Sequence, residues 1–374
     1  MTDPSDSLTI APALKEPLRH AIAGERADWP SLTAADVDAL VANGVAPLVY
    51  ATARLPELRD EALRAAAGEP LRLVDLREVV AALAARSVKA LLIKGSALAY
   101  DLYCDSYKDL NGQPELRPRG DTDILVTREA FPATREALLA IGFSERLTSG
   151  DEHAVRQQGF AHIDRYGVTH VYDVHWAIAN SPLFAELIRI DEIEPLPLPR
   201  IGEHAFTLPR VEALLLACVH RIAHHHDDER LIWLVDIALL RARMSVVEHR
   251  RFWRLAVSHR VVGICTRSIE QAEEWFGGEG LHRAEQYLTE AELAQDESSR
   301  VFLDRRLTYG RETLANLRAL SWGERLTRLR QLAFPPAAFM RQSFTPRSRA
   351  ALPWLYVYRG ARGVARLFRR GGPR

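Results

Sequence analysis

Two aspartates one residue apart, Asp121 and Asp123 in the run PRGDTDILV, are the side chains here best spaced to do chemistry. On a β-strand, residues i and i+2 share a face, so the two carboxylates would stand side by side. Their Cα atoms would lie about 6.6 Å apart. Flexible carboxylates at that spacing can share one divalent cation or hold two cations about 3.5–4 Å apart. Two like charges next to Ile124, Leu125 and Val126 are costly unless a cation or solvent compensates them. Alone, an aspartate pair of this kind is equally well a solvated strand start. It is joined by Lys94-Gly95-Ser96, between an apolar stretch and a helical one. There glycine lets the backbone approach a phosphate, Ser96 and a helix N-terminus offer donors to an anion, and Lys94 adds a point charge. A third group is VYDVHW, where Asp173 and His175 share one strand face and Tyr172, Val174 and Trp176 the other. A carboxylate among valine, tyrosine and tryptophan needs a partner, and a cation held by Asp121 and Asp123 would be one.

The elements that must carry these groups can be read from periodicity. Residues 1–85 read as helical, with apolar residues three and four apart in LRLVDLREVVAALAARS. Ser31, Thr33 and Asp36 are N-cap candidates there, and Gly44 and Gly68 are stops. Residues 90–93 read as a short buried strand, followed by the Gly95-Ser96 turn and a helix. Residues 105–119 read as a loop and 121–126 as a second strand. An amphipathic helix over 129–141 is closed by Gly142. Two β-rich runs, 159–165 and 169–178, are joined through Tyr166-Gly167 as a hairpin. From about 208 onward the pattern is helical again, with Pro209 at a first turn. The expected fold class is therefore α/β (α+β), with a helical region at 1–85, an α/β core at 86–205, a helical domain at 206–340 and a basic tail at 341–374.

Composition narrows the class. The chain has 374 residues, 47% of them hydrophobic and 26% charged, which is ordinary for a globular protein with a sizeable core. Lys+Arg and Asp+Glu are 49 each, so a chain that coats nucleic acid along its whole length is excluded. Residues 341–374 nevertheless carry nine arginines and no acid, which leaves the rest at a net charge of −9. With Trp354, Tyr356 and Tyr358 interspersed, this tail could dock on RNA, on an anionic membrane or, the favoured reading, on the acidic body of its own protein. The three cysteines are far apart and form no CxxC, so neither a disulfide framework nor a thiolate zinc site is expected. The N-terminus has no basic signal-like region and no apolar run reaches about 18 residues. A soluble, cytoplasmic protein is the expectation. The cluster His220, His224, His225, His226, Asp227 and Asp228 invites a metal reading, but three consecutive helical histidines point in three directions and cannot all ligate one ion. A solvated helix end, or the wall of an acceptor pocket, is the preferred reading. Asp236, inside WLVDI, is expected to pair with a buried His or Arg.

The order of these motifs resembles the nucleotidyltransferases of the DNA polymerase-β superfamily. More closely, the sequence is similar to the bacterial family known as uncharacterised nucleotidyltransferases. The resemblance is carried by Lys94-Gly95-Ser96-Ala97-Leu98, by Arg119-Gly120-Asp121-Thr122-Asp123-Ile124-Leu125-Val126 and by Val171-Tyr172-Asp173-Val174-His175-Trp176. A later leucine- and histidine-rich helix, ALLLACVHRIAHHHDDERLIWLVDIALL, completes it. It covers about residues 75–245. One departure is the 25-residue separation of Ser96 from Asp121, against about ten in the superfamily's commoner pattern.

The resemblance implies a polymerase-β-like core with a mixed sheet between helical regions, and a Mg²⁺-dependent enzyme using two ions. It would transfer an NMP, AMP being expected, from an NTP donor to a small-molecule, peptide or protein acceptor. Such sequences often accompany natural-product or polysaccharide genes. Asp121, Asp123 and Asp173 would be the catalytic metal ligands. Lys94, Gly95, Ser96 and Arg119 would bind the nucleotide. His175, as a partner of Asp173, would join His220 and His224 near the acceptor. Two other readings stand beside this one. The first is RNA-directed transfer, supported only by the arginine tail. The second is a non-catalytic nucleotide-binding module, against which three converging acids argue.

Overall fold

The computed structural model describes residues 9–107, 113–146, 156–278, 281–304, 307–335, 337, 340 and 352–367. Seven strands form one mixed sheet: β1 Leu91–Ile93, β2 Thr122–Leu125, β3 Ser144–Glu145, β4 Gln157–Ile163, β5 Thr169–His175, β6 Leu196–Pro197 and β7 Phe206–Thr207. Their spatial order is β3-β4-β5-β2-β1-β7-β6. The central strands β1 and β2 are buried along their whole length; β1 is wholly apolar, whereas β2 buries Thr122 and Asp123 beside Ile124 and Leu125. β1 runs antiparallel to β2, and β2 runs parallel to β5. The expected hairpin is β4–β5, closed at Gly167, where φ is +80°. The Asp164 carboxylate accepts from the backbone N–H groups of Tyr166 and Val168 and so holds the turn.

Two apolar layers sandwich the sheet. Leu92, Ile124, Tyr172 and Val174 face one layer, built with the Arg59–Ala84 and Phe131–Ala140 helices. Leu91, Ile93 and Leu125 face the other, where N-terminal helices (Leu18, Leu40, Leu48) pack together with C-terminal ones (Val211, Leu215, Val235, Trp253). Period-two alternation then fixes the direction of Asp123. It shares the face of Leu125 and so looks towards the Arg210–Ala223 helix.

Several boundaries differ from the sequence reading. Gly68 stops nothing: one helix, Arg59–Ala84, runs for 26 residues through Gly68 and Pro70. Tertiary anchoring overrides propensity, because Glu69 is held by Arg72, Arg119 and Tyr100. Thr33 rather than Ser31 caps the Ala34–Ala42 helix, in a reciprocal box with Asp36. Within the expected loop lie a short helix at Cys104–Ser106 and a 3₁₀ turn at Pro114–Leu116, while 108–112 fall outside the described residues. The Arg210–Ala223 helix ends before the histidine run, and His226 and Asp227 adopt positive φ in a turn. Of the basic tail, the described part is the Leu352–Leu367 helix. No helix among the described residues is long and apolar enough to cross a membrane.

Candidate active site

Register builds the site. Parallel pairing of β2 with β5 sets Asp123 directly opposite Asp173, and Leu125 opposite His175. His175 Nε2 lies 2.7 Å from Asp123 Oδ1. Lys94, the residue that leaves β1, has φ +55°, a left-handed conformation uncommon outside glycine. Its Nζ donates to the same Asp123 Oδ1 at 2.7 Å and lies 3.4 Å from His175 Nε2. Burial would raise the carboxyl pKa of Asp123, but the Lys94 ammonium and the His175 contact outweigh it and hold Asp123 well below the usual carboxylate range. Asp121 stands just before β2, and burial, reinforced by the negative charge of Asp123, pushes its pKa up. Burial and the Lys94 charge lower that of His175 and keep the ring neutral at physiological pH.

Around these groups runs a scaffold of buried polar contacts. The Ser96 hydroxyl donates to the Asp121 carbonyl at 3.2 Å and to Thr122 Oγ1 at 3.3 Å. It therefore ties the turn to β2 across the 25-residue gap. Gly95 lies against Arg117: a Cβ there would meet Arg117 Nη1 at 3.1 Å. Arg117 in turn makes a forked pair with Asp236 at 2.9 and 2.7 Å, and Tyr103 donates to the same carboxylate. This is the buried partnership expected of Asp236. Arg119, expected to bind the nucleotide, lines the same cavity as the acids and is held from behind by Glu69. Its side chain is 2% exposed, paired with Glu69 at 2.5 Å and laid over the Tyr100 ring.

The acids open into a cavity of about 360 Å³ whose far wall comes from the Arg210–Ala223 and Leu231–Ala242 helices. Ala213, Leu216, Ala217, His220 and His224 follow helical spacing and face it. The His220 and His224 rings stack with centroids 5.0 Å apart, and His225 lies 4.0 Å from Trp233. Burial and the nearby Lys94 charge lower His224 to about 3 and His225 to about 4, with His220 also well below its ordinary value. All three rings are neutral at physiological pH. His175, expected with them and as a partner of Asp173, instead lies behind Asp123, 2% exposed.

Two further residues shape the site. Arg230 lines the cavity, lies over the Trp233 ring at 5.5 Å, and its Nε has no partner among the described residues. It lies within the leucine- and histidine-rich motif, just before the Leu231–Ala242 helix, with nothing in its spacing to single it out. Gly159 pairs with Asp173 across β4–β5, and a Cβ there would come within 3.2 Å of Asp173 Oδ1. Its lack of a side chain makes room for that carboxylate.

The donor set fits a cation. Asp123, Asp173 and His175 can each offer one ligand atom, all within 4.8 Å of one another. The Lys94 ammonium already provides positive charge there. Such a set, in a mixed sheet beside a strand–glycine–helix turn, defines the nucleotidyltransferase class. The chain belongs to the family described as uncharacterised nucleotidyltransferase, whose model matches residues 27–277. The match thus takes in N- and C-terminal helices that the motifs at 75–245 do not reach. No curated protein matches the chain.

Proposed function

We propose that this enzyme transfers an NMP, with AMP as the first candidate, from an NTP to a small-molecule, peptide or protein acceptor with the help of Mg²⁺. The observation that carries the reading is the register pairing of Asp123 with Asp173, with Asp121 at the strand mouth, on one wall of a cavity of about 360 Å³. That volume lies within the range of small-ligand sites. When bound, divalent cations would activate the attacking group and neutralise charge on the leaving pyrophosphate. Asp123 and Asp173 would hold them, with Asp121 towards the nucleotide. An acceptor oxygen or nitrogen attacks the α-phosphorus in line, the new bond to phosphorus forms, and pyrophosphate departs. Asp173 takes the acceptor's proton. Arg230 would turn towards phosphate oxygens, and Lys94 would do so on release from Asp123, whereas Ser96 and Arg119 would act as braces.

The test is calorimetric titration of the four NTPs with Mg²⁺ against the wild-type chain and the Asp121→Ala/Asp123→Ala variant. Metal-dependent binding of one NTP, lost in the variant, is the expected result. Equal behaviour of the two proteins would sink the reading.

A further inference from the structure

We infer that Asp123, Asp173 and His175 form a cation site with one nitrogen donor, which Lys94 occupies until a metal enters and which prefers Mn²⁺ or a related transition ion to Mg²⁺. The inference rests on reading this face as the cation site, but not on the transfer reaction. A site of three carboxylates would offer oxygen alone. Among the described residues, the group that brings ligand atoms within 4.8 Å of one another is Asp123, Asp173 and His175, and Asp121 is outside it.

The orientation of the imidazole is specific. Nε2 is the atom turned to the acids, 2.7 Å from Asp123 Oδ1. Lys94 Nζ makes its own 2.7 Å contact to that oxygen and lies 3.4 Å from Nε2. A cationic head thus sits beside both atoms that would ligate a metal, completing a triangle with them, and is carried on a residue held at φ +55°. When a divalent ion enters, the imidazole proton must reside on Nδ1 so that the Nε2 lone pair is available. Lys94 leaves with its charge, so no proton is gained or lost overall. The displaced ammonium is then free for a phosphate. Gly159 leaves room for the Asp173 carboxylate, since a Cβ there would meet Oδ1 at 3.2 Å as well as the Arg146 side chain. A nitrogen ligand moves a site away from the all-oxygen preference of Mg²⁺ and along the series that favours transition ions.

The experiment uses the full chain, stripped of metal and without nucleotide, titrated with Mn²⁺ and followed by pulsed electron paramagnetic resonance. Wild type is expected to show coupling of the manganese to a nitrogen nucleus, and Mg²⁺ to compete only at about 100-fold higher concentration. His175→Asn should abolish the coupling and weaken Mn²⁺ binding at least about tenfold. Lys94→Met, which keeps the apolar stem but removes the competing charge, should tighten it about tenfold. Melting curves report whether each variant folds. If His175→Asn does not, the wild-type spectrum still decides. Saturable Mn²⁺ bound through oxygen alone overturns the nitrogen ligand, and no saturable binding overturns the site. Unchanged affinity in Lys94→Met overturns the role of Lys94. Oxygen-only binding alongside intact metal-dependent NTP binding would leave the proposed transfer standing. Nitrogen coupling without any NTP binding would do the reverse.

Discussion

At the scale of single residues, charge and confinement decide which side chains remain available to a ligand. Arg117, Arg119 and Arg230 all line the cavity, yet the first two are engaged by buried carboxylates, Asp236 and Glu69. Arg230 is different, because burial and the Arg117 charge lower its pKa against weaker help from Asp228 and Asp121. An arginine in that condition gains from an anion. Arg230→Ala is expected to weaken NTP binding about tenfold, roughly the value of one charge-assisted contact. The melting temperature should move by only a few degrees, since Nε donates no hydrogen bond and the contact over Trp233 is worth about 1 kcal/mol. Calorimetry and a thermal melt of the same preparation check both halves, and a melt shifted without loss of affinity would make Arg230 a structural residue. Sequence showed Asp121, Asp123 and Asp173 because a strand's period is fixed and buried acids are conspicuous. It gave no sign that Arg119 is held by Glu69, which lies 50 positions upstream on a helix. Spacing along the chain carries no sign of such a contact.

At the scale of elements, the site is a strand pair braced from behind. The Arg117–Asp236 pair joins the segment before β2 to the Leu231–Ala242 helix, and Gly95 lets it pass directly beneath the turn after β1. Asp236 is 4% exposed, so removing it strands a buried guanidinium. Asp236→Ala should therefore cost about 3–5 kcal/mol of folding stability, the usual penalty for breaking a buried pair from one side. Urea unfolding measures it, and a loss below about 1 kcal/mol would show that water reaches Arg117. Helix and strand positions were largely legible here, because apolar periodicity is strong in β1, β2, the hairpin and the Arg210–Ala223 helix. Helix ends were less so. Gly68 reads as a stop locally, but Glu69 is anchored on its far side, so the helix continues. The histidine run reads as helix. It turns instead, because Asp227 is drawn in by Arg221 and Arg267.

At the scale of the whole molecule, the question is which parts the site depends on. The N-terminal helices contribute directly: Asn43 accepts from the N–H groups of Leu231 and Ile232 and so caps the helix that carries Trp233 and Asp236. Beyond residue 277, where the family match ends, the chain still completes the core. Ala284, Leu288, Phe302 and Leu307 belong to the same apolar layer as Val211 and Trp253. Glu297 accepts from the N–H groups of Val262 and Gly263, at the start of the Val262–Phe276 helix. A carboxylate at that place satisfies free helix donors and complements the helix dipole. The Tyr309–Arg318 and Trp322–Ala333 helices, by contrast, bury no residue fully. Two shortened chains should consequently behave in opposite ways. Ending the chain at 277 opens the core and uncaps a helix, so the product should not melt cooperatively or bind NTP. Ending it at 340 removes nine arginines and shifts the net charge to −9, but leaves every cavity-lining residue in place. That chain should keep its NTP affinity and melt within a few degrees of the full one. Circular dichroism melts and calorimetry on both products test this. Loss of NTP binding at 340 would place the tail in the site and revive a role for it in recognising the acceptor.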